Sequence, residues 1–480
     1  MLRRLKSLIL NKKNLKNTVV KNTMWLFLGE IAGRLLKMGL VIYAARILGA
    51  NDWGIFSYAL GLAGLFGIFS DFGLSNLLTR ELAKNGANRS QYLSTIFILK
   101  LILTFTSVCI LLLVAPHISK MPGINSLLPL MAIMLVLDSM RDFGFGLNRA
   151  YEKMGREALV KIIMNGSIAI AGIVIIFSLP SVKNVFIIYT LGSLLGCLAT
   201  FYVIKNHLRG VFKNFSKTLL KPIFDFAWPF AILIFFNTIL TNTDILMLGI
   251  LSTPESVGLY SAAQKLTQFL YLVPALISVA VLPMFSKLVE AGDERFELIF
   301  TKIIRLLLLF GFPIVIGGAL LSKNILVLIF GGEYASAAAT LSIMLFLVLI
   351  NFPKIIMDNA ILAHDQQKKF LKYTLIAVVL NVVLNYLLIP IYGSTGAAVS
   401  TLISSLLGMG IVFIQFRKAN NFRASFNLGK ILISTLLMSV TVVGLKYLGI
   451  NTIYTVLISI ILYTFILYIL KDETLQQALP

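Results

Sequence analysis

Residues 22–81 read NTMWLFLGEIAGRLLKMGLVIYAARILGANDWGIFSYALGLAGLFGIFSDFGLSNLLTRE. Two apolar runs of membrane length stand in this stretch, 22–46 and 53–77, joined by Ile47-Leu48-Gly49-Ala50-Asn51-Asp52. A helix of about 20 residues crosses a hydrocarbon core about 30 Å thick, so each run is long enough to span. Glu30, Arg34 and Lys37 nevertheless sit inside the first run. Their spacing is i, i+4, i+7, which puts all three on one helical face. A charge at the bilayer centre costs about 2.5–3.5 kcal/mol even on insertion scales. That face therefore turns away from lipid. Either a Glu30–Arg34 salt bridge locks a bundle, or the face lines a polar cavity inside the membrane.

The composition agrees with an all-α polytopic membrane protein. Of 480 residues 58% are hydrophobic and the mean hydropathy is +0.91, which excludes a soluble globular domain. Residues 1–21 are basic and polar, and the apolar run after them lacks a small-residue cleavage site, so the first helix is expected to be retained. Cys109 and Cys197 lie in separate apolar helices, and no structural disulfide is expected. His117, His207 and His364 are isolated in loops. No metal-ligand spacing, phosphate-cradling loop, nucleophile elbow or dinucleotide fingerprint occurs, so the reading is not an enzyme and needs no cofactor.

Further spans are expected over 93–115, 127–148, 159–179, 184–204, 223–248, 257–282, 301–321, 339–360, 371–391, 395–416, 429–447 and 451–470, about fourteen transmembrane helices with the first two. At Ser181 and Tyr392 a long helical hairpin is the alternative to two short-turned spans. An even count puts both termini on one side. With the amino terminus inside, inner segments and the helix ends adjoining them hold 30 of the 42 Lys and Arg, against five in outer loops and seven within helices. The positive-inside rule therefore puts both termini in the cytoplasm of a multi-pass protein of the cell membrane. Most of the +22 charge is this topological signal, not a nucleic-acid footprint.

An internal repeat is visible. Trp25 matches Trp228, and Gly54-Ile55-Phe56-Ser57 matches Gly258-Leu259-Tyr260-Ser261, at offsets of 203 and 204. Arg141 and Ala150 match Lys354 and Ala363 at an offset of 213. Six helices separate the copies, so the repeat is parallel. The expected organisation is a basic segment 1–21, a first six-helix lobe 22–204, a basic linker 205–222, a second lobe 223–416, a carboxyl-terminal helix pair within 417–470, and a tail 471–480.

Charges inside the spans suggest a site between the lobes. Arg34, Lys37 and Lys265 sit deepest, and Arg141 and Lys354 occupy the inner half of matching helices. Glu30, Asp138, Asp244 and Asp358 are the accompanying acids, with Asp244 on a polar face of the seventh span that also holds Asn237 and Thr241. Lys100, Arg305 and Asp225 lie near the inner surface and are read as snorkelling. Cations not fully paired within a membrane want an anion, and phosphate oxygens are strong acceptors. The alternative is that every base is balanced by a neighbouring acid.

The motifs Asn22-Thr23-Met24-Trp25-Leu26-Phe27, Ala45-Arg46-Ile47-Leu48-Gly49, Asp52-Trp53-Gly54-Ile55-Phe56, Asp71-Phe72-Gly73-Leu74 and Thr79-Arg80-Glu81-Leu82-Ala83 resemble the polysaccharide transporter family. That family belongs to the multidrug/oligosaccharidyl-lipid/polysaccharide exporter superfamily. The resemblance implies two lobes, a central cavity and alternating access. It also implies a polyprenyl-(pyro)phosphate-linked oligosaccharide moved from the cytoplasmic to the outer leaflet for cell-surface polysaccharide synthesis. Glycosyltransferases or a polymerase of the same pathway are the protein partners it suggests. A multidrug or organic-cation exporter of the same superfamily is the competing function. It calls for acids dominating the cavity, whereas bases here at least equal acids.

The charge asymmetry makes a direct prediction. A cysteine introduced as Ser336→Cys should react with a membrane-impermeant maleimide added outside, and one introduced as Asn214→Cys should not. Reversed labelling would invert the orientation.

Overall fold

The computed structural model describes residues 2–84, 88–208, 210–420, 426–472 and 476, without the side chains of 2–23, 26, 27, 229, 230, 233, 237, 240, 367–369 and 371. No strand occurs among the described residues. The chain divides into two compact units, Met1–Ile250 and Leu251–Pro480.

The first unit begins with α1 (Leu2–Asp71), two helical arms that meet at Gly49. The backbone there has φ 76° and ψ 172°, a combination that a Cβ excludes. Leu48 and Ala50 are both helical, so the turn expected over 47–52 is compressed into one residue. The second arm ends at Asp71 instead of running to 77, because Phe72 (φ 45°) and Gly73 (φ 78°) break it. The broken-off end is α2 (Leu74–Ala83). Then come α3 (Arg89–Ile118), α4 (Ile124–Ala150), α5 (Met154–Ser178), α6 (Val182–Ile204) and α7 (Leu220–Leu251).

The first arm of α1 lies against α5, and small residues permit it. A Cβ on Gly29 would stand 2.7 Å from Ala158, and one on Gly33 would stand 2.7 Å from the Asn165 amide. Gly29 and Gly33 form a G-x-x-x-G step, which lets two backbones approach where lipid offers no hydrophobic drive. Around this contact, α4 packs on α6 and on α2, and a core of leucines and phenylalanines closes the end near Leu78, Phe97 and Phe143.

The second unit holds α8 (Pro254–Leu270), α9 (Leu272–Glu290), α10 (Arg295–Leu320), α11 (Ser322–Phe330), α12 (Ala338–Ala363), α13 (Gln367–Ala419), α14 (Gly429–Tyr447) and α15 (Thr452–Ile469). The single span expected over 257–282 is interrupted at Tyr271. The short helix α11 escaped the sequence reading because nine residues fall below a membrane-length window. The two spans expected on either side of Tyr392 are the arms of α13, which turns at Gly393 (φ 53°, ψ −129°). With each kinked helix taken as two arms and α8 with α9 as one crossing, the described helices are compatible with fourteen spans.

The repeat extends to the backbone. α4 and α12 end at Ala150 and Ala363. Each is followed by a left-handed acidic residue, Glu152 (φ 56°) and Asp365 (φ 54°), at the same offset. Lys153 N–H donates to the Asn148 carbonyl at 2.8 Å, and Gln366 N–H donates to that of Ile361 at 3.0 Å. The two helix ends are thus the same closure made twice.

The carboxyl-terminal pair is fastened to α10. The Tyr463 hydroxyl donates to the Leu309 carbonyl at 2.7 Å, and Arg305 pairs with Asp472 at 2.7 Å. Arg305 was expected to snorkel; instead its side chain is 11% exposed and that of Asp472 is fully buried. The carboxylate arrives from the far end of α15, which no local pattern announces.

Gly49→Ala should lower stability by about 1–3 kcal/mol, the cost of forcing a side chain into that backbone region. Gly39→Ala, with open space around the position, should be neutral. Thermal unfolding of the detergent-solubilised protein reads both.

Candidate functional site

Within the first unit lies a cavity of about 880 Å³ whose lining residues run from Gly29 to Thr238. The first arm of α1 supplies Glu30, Arg34 and Lys37, and the second supplies Ser70 and Asp71. α3 contributes Lys100, α4 contributes Asp138, Arg141, Asp142 and Arg149, and α5 contributes Lys161 and Asn165. Tyr189 and Ser193 come from α6, and Ile234 and Thr238 come from α7. The i, i+4, i+7 face read in the first span is therefore a cavity wall.

The charges fall into four groups. The first is a chain through three helices. Arg34 pairs with Glu30 at 2.8 Å, Lys161 reaches both Glu30 and Glu157 at 3.2 Å, and Arg149 holds Glu157 at 2.6 Å. This chain joins α1, α5 and α4 and carries one more cation than anion. Its inner link, Glu157, is fully buried. In the second group Arg141 bridges Asp138 at 2.5 Å and Asp142 at 3.0 Å, an arrangement one charge negative. In the third, Lys100 donates to Asp71, which also accepts from the Ser75 hydroxyl. The fourth is Lys37, which among the described residues has no acid within salt-bridge distance. Its ammonium sits 5.0 Å from the centre of the Tyr189 ring. Cation–π attraction holds a charge without neutralising it.

Of the nine residues singled out from the sequence, the cavity brings together Arg34, Lys37, Arg141, Glu30 and Asp138. Asp244 is buried on α7 and is not among the lining residues. Lys265 is half-buried on α8 in the second unit. Lys354 and Asp358 pair with each other at 2.7 Å along α12, both about half exposed. Thr241 is exposed on α7, and the Asn237 side chain lies outside the described residues.

Lys100, read as snorkelling, is fully buried and tied to Asp71 from another helix. Lys161, Arg149 and Glu157 are not among the residues singled out from the sequence. Lys161 and Arg149 line the cavity with Glu157 buried between them, and the glycine step of α1 brings Glu30 to Lys161. The available signal was Glu157 and Lys161 at i, i+4 near the start of an apolar helix.

Helices of membrane length thus enclose a charged internal cavity. A family model described as polysaccharide biosynthesis protein matches residues 19–289, and the chain belongs to that family. A second model, MatE, matches 229–387. A probable low-salt glycan biosynthesis flippase of Haloferax volcanii is 23% identical over 92% of this chain and 93% of its own length. A putative O-antigen transporter of Shigella flexneri is 24% identical over 81% of this chain and 96% of its own. Among solved structures, the lipid II flippase MurJ in an inward closed conformation shares the fold with a TM-score of 0.72. It is 17% identical and matches over 94% of this chain and all of that one.

The pairing scheme separates structural charges from available ones. Glu157→Ala strands Arg149, leaves Lys161 with Glu30 alone, and should cost about 3–5 kcal/mol of stability. Lys37→Gln removes a charge that has no salt-bridge partner among the described residues and should change stability by less than about 0.5 kcal/mol. Denaturation midpoints of the two variants in one detergent check the contrast.

Proposed function

We propose that this chain is a flippase that carries a polyprenyl-(pyro)phosphate-linked oligosaccharide from the cytoplasmic to the outer leaflet by alternating access. The observation that carries the reading is Lys37, a cation lining a large cavity with no acid within salt-bridge distance among the described residues. Beside it, the chain from Arg34 to Arg149 holds a further surplus cation. The phosphate groups are the costly part of such a cargo, since their charge must leave water while the prenyl chain stays in lipid. Lys37 and Arg34 would hold them in transit. Arg141, bracketed by two acids, would receive them once an acid is displaced. Lys265, Lys354, Asp244 and Asp358 belong to the same proposal as charges that a different state brings to the cargo.

In this reading the repeats 22–204 and 223–416 rock about the headgroup, with the basic stretch 205–222 linking them. Both termini are cytoplasmic, and the enzymes that build and polymerise the glycan are neighbours in the pathway. Names of relatives support the cargo class: two are called a glycan biosynthesis flippase and an O-antigen transporter. An exporter of organic cations fits less well, because each carboxylate lining the cavity already holds a base.

Proteoliposomes loaded with a lipid-linked oligosaccharide test the reading. Lys37→Gln should slow flipping about 10–100-fold, the worth of one charge-assisted hydrogen bond. Lys37→Arg should retain most of the rate. A parent that moves organic cations and leaves the glycolipid in place would transfer the assignment to the exporter class.

A further inference from the structure

Two helices divide their faces between two volumes of opposite polarity. On the second arm of α1, Ser70 and Asp71 line the charged cavity. Phe69, and Phe72 just past the end of the helix, flank them and line a separate slot of about 460 Å³. α7 repeats the division, with Thr238 on the cavity and Phe224, Trp228 and Phe235 on the slot. Ile68 lines both volumes, so one side chain forms their common wall. Among the described residues, the slot is lined by apolar side chains alone. The rings pair across it: Phe72 stacks on Phe224 with centroids 6.0 Å apart, and Phe69 meets Phe235 at 6.4 Å. Phe224 and Trp228 nevertheless remain 58% and 45% exposed.

A charged cavity and an aromatic slot sharing a wall fit one kind of molecule, an anionic head continuous with a hydrocarbon tail. A soluble anion would leave the slot unused, and an apolar compound would leave Lys37 without a partner. We propose that the slot between α1 and α7 seats the isoprenoid segment next to the phosphate while the head lies in the cavity. The inference rests on the flippase reading and adds the path of the tail. A slot of this volume takes only the head-proximal part of a long prenyl chain, and the remainder stays in the bilayer. Lipid is as apolar as the slot, so seating the tail gains packing and orientation, not transfer energy. The slot therefore fixes where the tail leaves the protein while the head turns over, and position is the quantity to measure.

The experiment uses the full chain in liposomes with a prenyl diphosphate carrying a diazirine on the isoprene unit beside the diphosphate. After photolysis, adducts are mapped by mass spectrometry. They should concentrate on Phe69, Phe72, Phe224, Trp228 and adjacent positions, and excess unlabelled prenyl diphosphate should abolish them. The double variant Phe224→Val, Trp228→Leu should lose these adducts while binding inorganic pyrophosphate like the parent. Adducts mapping to α14 or α15, adducts spread over the lipid-facing surface without competition, or slot adducts undiminished in the double variant would each overturn the proposal. The headgroup reading fails separately, if Lys37→Gln leaves pyrophosphate binding unchanged whatever the adduct map shows.

Discussion

An ionised side chain placed in hydrocarbon must find a partner or water, and the first unit is arranged around that requirement. Six cations line its cavity: Arg34, Lys37, Lys100, Arg141, Arg149 and Lys161. They come from four helices, and three of them, Lys100, Arg149 and Lys161, find an acid on a different helix from their own. Ion pairs that cross between helices fix the relative placement of those helices. Removing either partner leaves a buried charge uncompensated. The cavity and the bundle are therefore one arrangement, and the charges that keep it open also keep it together.

The packing that makes the pairs possible is backbone against backbone. Gly29 and Gly33 draw α1 onto α5 until Glu30 reaches Lys161, and Lys161 in turn reaches Glu157 one turn earlier on its own helix. A larger residue at either glycine would separate the helices and with them the chain of charges. Lys37 lies one turn beyond Arg34 on the same wall but faces an aromatic ring where the others face carboxylates. Paired charges set the frame, and Lys37 stands over the Tyr189 ring instead.

One helix ending recurs in both units. The helix ends at Ala150 and Ala363 close with the same left-handed residue and the same hydrogen bond. The charges on the two copies have diverged. Arg141 on α4 bridges two acids at the cavity, whereas Lys354 on α12 pairs along its own helix with Asp358. The second unit adds what the first lacks, a helix pair held to α10 by the buried Arg305–Asp472 bridge and by Tyr463.

Local physics was legible in the chain itself. Apolar runs of membrane length are a one-dimensional property, so the helices, their approximate ends and the all-α class follow from residue order. The same holds for the charged face of Glu30, Arg34 and Lys37, because helical periodicity alone puts those side chains together. Backbone dihedrals refined the rest: a glycine with positive φ can turn a chain in one residue where a six-residue loop was expected. Which charges meet was not legible. Lys100 and Asp71, Lys161 and Glu30, and Arg305 and Asp472 are joined across 29, 131 and 167 residues. Such pairs depend on interhelical distance and rotation, which side-chain packing decides and residue order does not display. Only the tertiary structure could therefore distinguish Lys100, buried and neutralised, from Lys37, which lines the cavity with no acid in salt-bridge distance among the described residues.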